Sequence, residues 1–251
     1  MNDITVLVPT SPIKSHPSTA IIQKAIASVQ KHLPDAEIRI MIDGIRDEQK
    51  EYLERYVDYI GRLATEDFFC QDNIRLFPFV SHQHQVAMTR HVLKSVTTPL
   101  IMLLEHDTFF LDGLPIDFAG IARVIKAGHA NMVQFHCQWE PWIIPEHEHL
   151  MLDKERNYID GVPMVRTWQF SARPHVASTD FYRGMLSSWF TMNARTFIED
   201  RMVDVLAGAR MAIGNDAWED WKLFYYAPEG TIRRTWTDDG RASDPKFPIT
   251  Y

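Results

Sequence analysis

The run Pro99-Leu-Ile-Met-Leu-Leu104, followed at once by Glu105-His106-Asp107, constrains the fold more than any other stretch of the chain. An apolar segment this short, without polar alternation, suits a strand buried on both faces of a parallel sheet. The preceding hundred residues agree. Ile4-Thr-Val-Leu-Val8 reads as a first strand, closed by Pro9-Thr10-Ser11-Pro12. Ser18 is placed to cap a helix through about Lys31, with Ile21, Ile22, Ala25, Ile26 and Val29 on one face. The stretch Glu37 to Ile42 reads as a strand that stops at Asp43-Gly44. Asp47 to Tyr59 then reads as helix, Ile74 to Val80 as a third strand, and Val86 to Val96 as the helix before the acid-bearing strand. Such alternation predicts an α/β, Rossmann-like first half with a mostly parallel sheet and right-handed crossovers.

The remainder is less regular. Phe118 to Ala127, Ala194 to Ala209 and Asp216 to Tyr226 are predicted helices, and Asn131 to Phe135 a strand. Trp139 to Arg173, rich in Pro, His and charge, reads as loops and hairpins over a site. The polar, aromatic-flanked stretch Ser171 to Asp180 reads either as a ligand-contacting loop or as a surface connection between helices. The polar tail from Arg233 reads as an ordering loop or a lid. The expected organisation is one domain over residues 1–251, with halves 1–112 and 113–251.

Composition narrows the classes. With 251 residues, 45% hydrophobic and 24% charged, the chain fits a globular protein without an appended domain. Two cysteines, Cys70 and Cys137, are too few for a disulfide framework or a cysteine-based zinc site. A reducing, cytoplasmic setting is therefore expected, with no signal peptide ahead of the strand at Ile4 and no span of roughly 20 apolar residues. A formal net charge of −7 without a Lys- or Arg-dense run argues against a nucleic-acid partner, though a local basic groove stays open. All seven Trp fall between Phe135 and Trp236, an arrangement that suits an acceptor surface for rings as well as it suits core.

Two carboxylates two residues apart, at the end of a buried strand, lie where open α/β sheets bind ligands. Hard cations such as Mg²⁺ and Mn²⁺ take one or two carboxylates plus substrate phosphates, so Glu105 and Asp107 point to a metal–diphosphate site. The same acids also suit a merely solvated strand end. His82 with His84, and His147 with His149, have spacings that bind zinc when a strand presents both rings, but loop histidines show the same spacings.

In order and position these features resemble a glycosyltransferase of the GT-A fold, similar to family 2. The resemblance covers Ile4 to about Phe110 and resumes at Asn215 to Leu223. It implies a first half, 1–112, that binds a nucleotide sugar and a second, 113–251, that binds the acceptor. Pro9 and Thr10 would lie near the nucleotide base, Asp43 would bind uracil or ribose, and Arg90 would face the diphosphate. The motif usually written Asp-x-Asp is here Glu105-His106-Asp107. It would give Asp107, with Glu105, to Mn²⁺ or Mg²⁺ and leave Glu105 a further role toward the ribose. The Glu-Asp pair in Trp218-Glu219-Asp220-Trp221 would supply the base, Asp220 first and Glu219 second. Asp238 or Asp239 would stand in for a late histidine ligand. Two departures are plain: Glu105 replaces the first Asp, and His82-Gln83-His84-Gln85 replaces the usual Gly and Asn.

The implied activity is an inverting, metal-dependent transfer of a hexosyl or pentosyl group from a nucleotide sugar, UDP-sugar first, to a hydroxyl acceptor. A glycan or a hydroxylated nucleobase in DNA both fit that acceptor. Two other classes compete. A sugar-1-phosphate nucleotidyltransferase needs a Gly-rich loop after the first strand, and Pro9 to Ser18 contains no Gly. A non-catalytic carbohydrate-binding module needs neither the strand-end carboxylates nor the Glu-Asp pair.

Overall fold

Residues 3–136, 149–230 and 232–238 are described by the computed structural model of the chain. The first half alternates strand and helix: β1 (Ile4–Thr10), α1 (Ala20–Gln30), β2 (Glu37–Ile42), α2 (Leu53–Thr65), β3 (Ile74–Pro78), α3 (His84–Leu93) and β4 (Leu100–Leu103). A 3₁₀ segment, Asp47–Tyr52, leads into α2. There follow β5 (Thr108–Phe110), α4 (Phe118–Lys126), β6 (Met132–Gln134), β7 (Asn157–Ile159), β8 (Val162–Arg166), β9 (His175–Ser178), α5 (Thr179–Trp189) and α6 (Ile198–Ile213). The described chain closes with α7 (Trp218–Trp221), β10 (Leu223–Tyr226) and β11 (Thr235–Thr237).

Nine strands form one sheet in the order β3-β2-β1-β4-β9-β6-β10-β8-β7. β1 pairs in parallel with β2 and β4, and β2 with β3. Every residue of β1 and β4 is buried, which is why both segments read as unbroken apolar runs. β9 runs antiparallel between β4 and β6, so the sheet is mixed beyond β4, and β10 returns parallel to β6. β5 and β11 make a separate antiparallel ribbon.

Three local expectations are corrected. Helix α1 begins after Thr19, not Ser18, whose Oγ accepts only from Ala20 N at 3.3 Å. The Thr19 hydroxyl is spent on Glu66, to which it donates at 2.7 Å. The predicted helix from Asp216 to Tyr226 is the end of a 3₁₀ segment, Gly214–Ala217, and one α-helical turn that stops at Lys222, whose φ of 46° is left-handed, before the buried strand β10. Leu223-Phe-Tyr-Tyr226 is too short for its period to separate strand from helix. Ser171 to Asp180, read as a loop, contains β9 at the centre of the sheet. There His175 is fully buried; its Nδ1–H donates to the Arg173 carbonyl at 2.8 Å and its Nε2 accepts from Tyr182 at 3.0 Å. Burial lowers its pKa to about 4, so the ring stays neutral.

Helices α3 and α5 clamp each other through arginines. Arg90 of α3 donates to the carbonyls of Leu186, Phe190, Thr191 and Met192, where α5 ends. Arg183 of α5 donates to the carbonyls of Leu93 and Val96, where α3 ends. Each guanidinium thus satisfies orphan carbonyls at its neighbour's C-terminus, where positive charge is also favoured. We expect Arg90→Ala to lower stability by about 3 kcal/mol, since hydrogen bonds from a charged group are worth roughly 1.5–3 kcal/mol net. Urea unfolding measures this. Loss of nucleotide affinity at unchanged stability would instead return Arg90 to the donor site.

No described helix is long and apolar enough to cross a membrane. Residues 139–148 of the loop-rich stretch, with His147, lie outside the described residues, as do Cys137 and Asp239.

Candidate functional site

The site gathers at the edge where β1, β2 and β4 end. The β4 backbone continues past Leu103, Leu104 N–H bonding to the Leu7 carbonyl at 3.0 Å, and delivers Glu105, His106 and Asp107 to that edge. His106 is buried between the two acids, with Nδ1 donating to the Pro9 carbonyl at 3.2 Å, which ties the motif to β1. Burial pushes the Glu105 carboxyl up to about 8, and the nearby negative charges of Asp107 and then Glu199 add to it. Gln85 opposes this by donating from Nε2 to Glu105 Oε1 at 3.1 Å.

Gln85 also joins two helix N-termini. Its Oε1 accepts from Ile198 N–H at 2.9 Å in the first turn of α6, while Val86 N–H, in α3, bonds to the Thr196 carbonyl at 3.3 Å. Phe197, just before α6, meets the His84 ring edge-on at 4.3 Å. The next residue of α6 after Ile198 is Glu199. Its Oε2 accepts from Ala172 N–H at 2.8 Å, its charge acts on Glu105, and it lines a cavity of about 610 Å³. Glu199 thus belongs to the lining of the cavity and is also felt electrostatically by the strand-end acid Glu105. The signal for it was present in sequence as Phe197-Ile198-Glu199-Asp200, a Glu-Asp pair opening a helix. The same pair recurs at Glu219-Asp220 in the first turn of α7.

The other expected site residues fall into two groups. Pro9, Thr10 and Asp43 are at the expected edge but buried. The Thr10 hydroxyl is 3.0 Å from that of Tyr59. Asp43 Oδ1 accepts from Gly44 N–H at 2.8 Å and Gln83 N–H at 2.7 Å, and Oδ2 from His84 N–H at 3.1 Å and His82 Nδ1 at 2.8 Å. That carboxylate holds the 81–84 loop and keeps His84 at φ 63°, a costly conformation for a side chain with a Cβ. Gly44 is required here, because a Cβ would meet the Ser81 carbonyl carbon at 2.3 Å.

Arg90, Glu219 and Asp220 are elsewhere. Arg90 is occupied by the α5 carbonyls. Asn131, just before β6, donates to the carbonyl of Asp220 at 3.3 Å and of Trp221 at 3.1 Å, placing α7 where β4, β6 and β10 begin. Glu219 is near Arg166, whose pKa it helps to raise. The length of β4, roughly 13 Å at 3.3 Å per residue, separates that edge from Glu105. Trp218 and Trp221 are buried in the core.

Tail residues reach the acids. β11 pairs with β5, Asp238 N–H bonds to the Asp107 carbonyl at 2.6 Å, and Lys24 pairs with Asp238 at 3.6 Å. The donor set suits a hard divalent ion: two oxygen-bearing side chains whose mutual repulsion a dication relieves, with remaining positions for phosphate and water. Among the described residues, no group of three or more His, Cys, Asp or Glu is arranged to hold a metal by itself.

No protein-family model matches the chain, and no curated protein matches it in sequence. Solved structures do match in fold. The chain superposes on S. aureus TarS with a TM-score of 0.54 at 11% identity, covering 94% of this chain and 36% of that one. It superposes on TarS 1-349 in complex with UDP-GlcNAc with a TM-score of 0.53 at 13% identity, and on the UDP complex with 0.52 at 12%. In both it covers 94% of this chain, and 58% and 60% of theirs. The architecture is the GT-A fold, and the chain spans little more than half, or less, of these neighbours.

Proposed function

We propose that the chain is a metal-dependent glycosyltransferase that moves a sugar from a nucleotide-sugar donor to a hydroxyl acceptor. The observation that carries this reading is the Glu105–Asp107 pair at the end of the buried strand β4, with the charge of Glu199, a residue that lines a cavity, acting on Glu105. In this reading the donor takes the strand-end acids and the acceptor takes the cavity. The fold shared with a protein solved in complex with UDP-GlcNAc and with UDP favours a uridine nucleotide.

Asp107 and Glu105 would hold Mn²⁺ or Mg²⁺, with Asp238 beside Asp107. Such an ion neutralises charge on the donor diphosphate and its leaving group. Glu199 replaces Asp220 as the proposed base. Its carboxylate takes the acceptor hydroxyl proton as the oxygen bonds to the anomeric carbon. The bond from that carbon to the diphosphate oxygen breaks, and its electron pair leaves with the nucleoside diphosphate. Attack opposite the leaving group inverts the centre and needs only this one base. Asp43 shapes the donor pocket by fixing the 81–84 loop, Pro9 by holding His106 through its carbonyl, and Thr10 by its bond to Tyr59.

The test is thermal stability against nucleoside diphosphates and nucleotide sugars, in Mn²⁺ and in EDTA. A ligand that binds only the folded state stabilises it by about 2.7 kcal/mol at a hundredfold excess over Kd. Uridine nucleotides should raise the midpoint in Mn²⁺, and EDTA should remove the gain. A flat response to the whole panel at saturating concentration would overturn the proposal.

A further inference from the structure

The cavity beyond Glu199 has a volume of about 610 Å³, enough for a compact organic ligand. Its walls are Leu150, Trp168 and Phe170 on one side and Leu206 on α6, with Val203 and Met211 at the rim. Those rim residues are 47% and 88% exposed, so apolar surface continues outward from the mouth. The polar groups of the walls are already engaged with the protein. The Trp168 indole N–H donates to Asn215 Oδ1 at 3.3 Å. Gln169 accepts at its backbone carbonyl from Gln134 at 2.7 Å and at Oε1 from the Tyr225 hydroxyl at 2.8 Å. Arg210 donates to the His149 carbonyl at 2.7 Å.

A polyhydroxylated ligand must exchange its bonds to water for bonds to the walls, and these walls have most of theirs committed. An apolar body gains by leaving water. Glu199 and Arg210 bring opposite charges to the lining, so no net charge there selects an ionic ligand. We propose that the acceptor is a neutral alcohol with an apolar or aromatic body, seated in this cavity with its hydroxyl toward Glu199. This assignment rests on the transferase reading for its word acceptor, and on the cavity alone for its ligand class.

The experiment measures binding of 3-phenylpropan-1-ol, methyl α-glucoside and maltotriose by titration calorimetry, alongside the nucleotide stability panel. The aromatic alcohol is expected to bind at least tenfold more tightly than either sugar. Ala207→Trp, at an exposed cavity-lining position of α6, should weaken it at least tenfold, as should the rim substitution Val203→Lys. Neither change should shift the thermal midpoint of the ligand-free protein or the response to nucleotides. Sugars binding as tightly as the alcohol, or alcohol affinity unmoved by both substitutions, would overturn the assignment while leaving the transferase reading intact. Alcohol binding as expected, with no nucleotide response, would support the apolar ligand site and overturn its role as an acceptor site.

Discussion

Asp107→Asn is expected to abolish Mn²⁺-dependent nucleotide binding and to reduce turnover by at least about a hundredfold, the scale of losing a metal ion's charge stabilisation. Asparagine preserves shape and an oxygen but removes the charge that holds a dication. The substitution also relieves the repulsion that raises the Glu105 pKa, so it should not destabilise the fold. The backbone is held independently, by Asp238 N–H on the Asp107 carbonyl and Thr108 N–H on the Glu105 carbonyl. Binding of UDP by calorimetry, with Mn²⁺ and with EDTA, gives the readout. Wild-type affinity in Mn²⁺ would remove Asp107 from the site.

Glu199→Gln is expected to act differently. A general base contributes roughly 10²- to 10⁴-fold to the chemical step, so kcat should fall by that factor. Donor affinity should stay within about twofold, because the group acts in the transition state rather than on the bound nucleotide. The Ala172 N–H keeps an acceptor in the Gln side-chain oxygen, which protects the 172–175 turn. Asp220→Asn is the internal comparison and should leave kcat unchanged. If Asp220→Asn loses activity and Glu199→Gln does not, the assignment is reversed.

How much of this was legible in the sequence depends on how far each element's periodicity ran. β4 was readable because a strand covered on both faces can run apolar without a break, and β2 because Glu37 and Arg39 alternate with Ile38 and Ile40. β9 was not, since four residues led by His175 carry no period and their burial depends on β4 and β6 closing on either side. The acids at Glu105 and Asp107 stand out in the sequence by their place after a buried strand, and the structure sets them at the end of β4. The choice between Glu199 and Asp220 lay beyond sequence: both belong to a Glu-Asp pair in a first helical turn, and only the sheet decides which turn faces the strand-end acids. Arg90 presents a related problem, its contacts in the structure being the carbonyls at the end of α5. A helical arginine near a predicted phosphate site looks the same in sequence whether it meets a ligand or the carbonyls of another helix.

The β5–β11 ribbon has a consequence for when the protein becomes competent. Thr108 and Thr237, 129 positions apart, face each other with their hydroxyls 3.1 Å apart. β1 to β4, by contrast, all pair within the first hundred residues or so, in the order β3-β2-β1-β4. Closing a longer loop costs more entropy before any contact repays it, and contacts of high sequence separation form slowly. The sheet can therefore assemble around β1 while Asp107 still lacks its flank. On the ribosome the same order is imposed by synthesis: a nascent chain presents the strand-end acids long before the segment that pairs with β5 and bonds to the Asp107 carbonyl exists, so this edge of the sheet is completed as a late event in the life of each molecule.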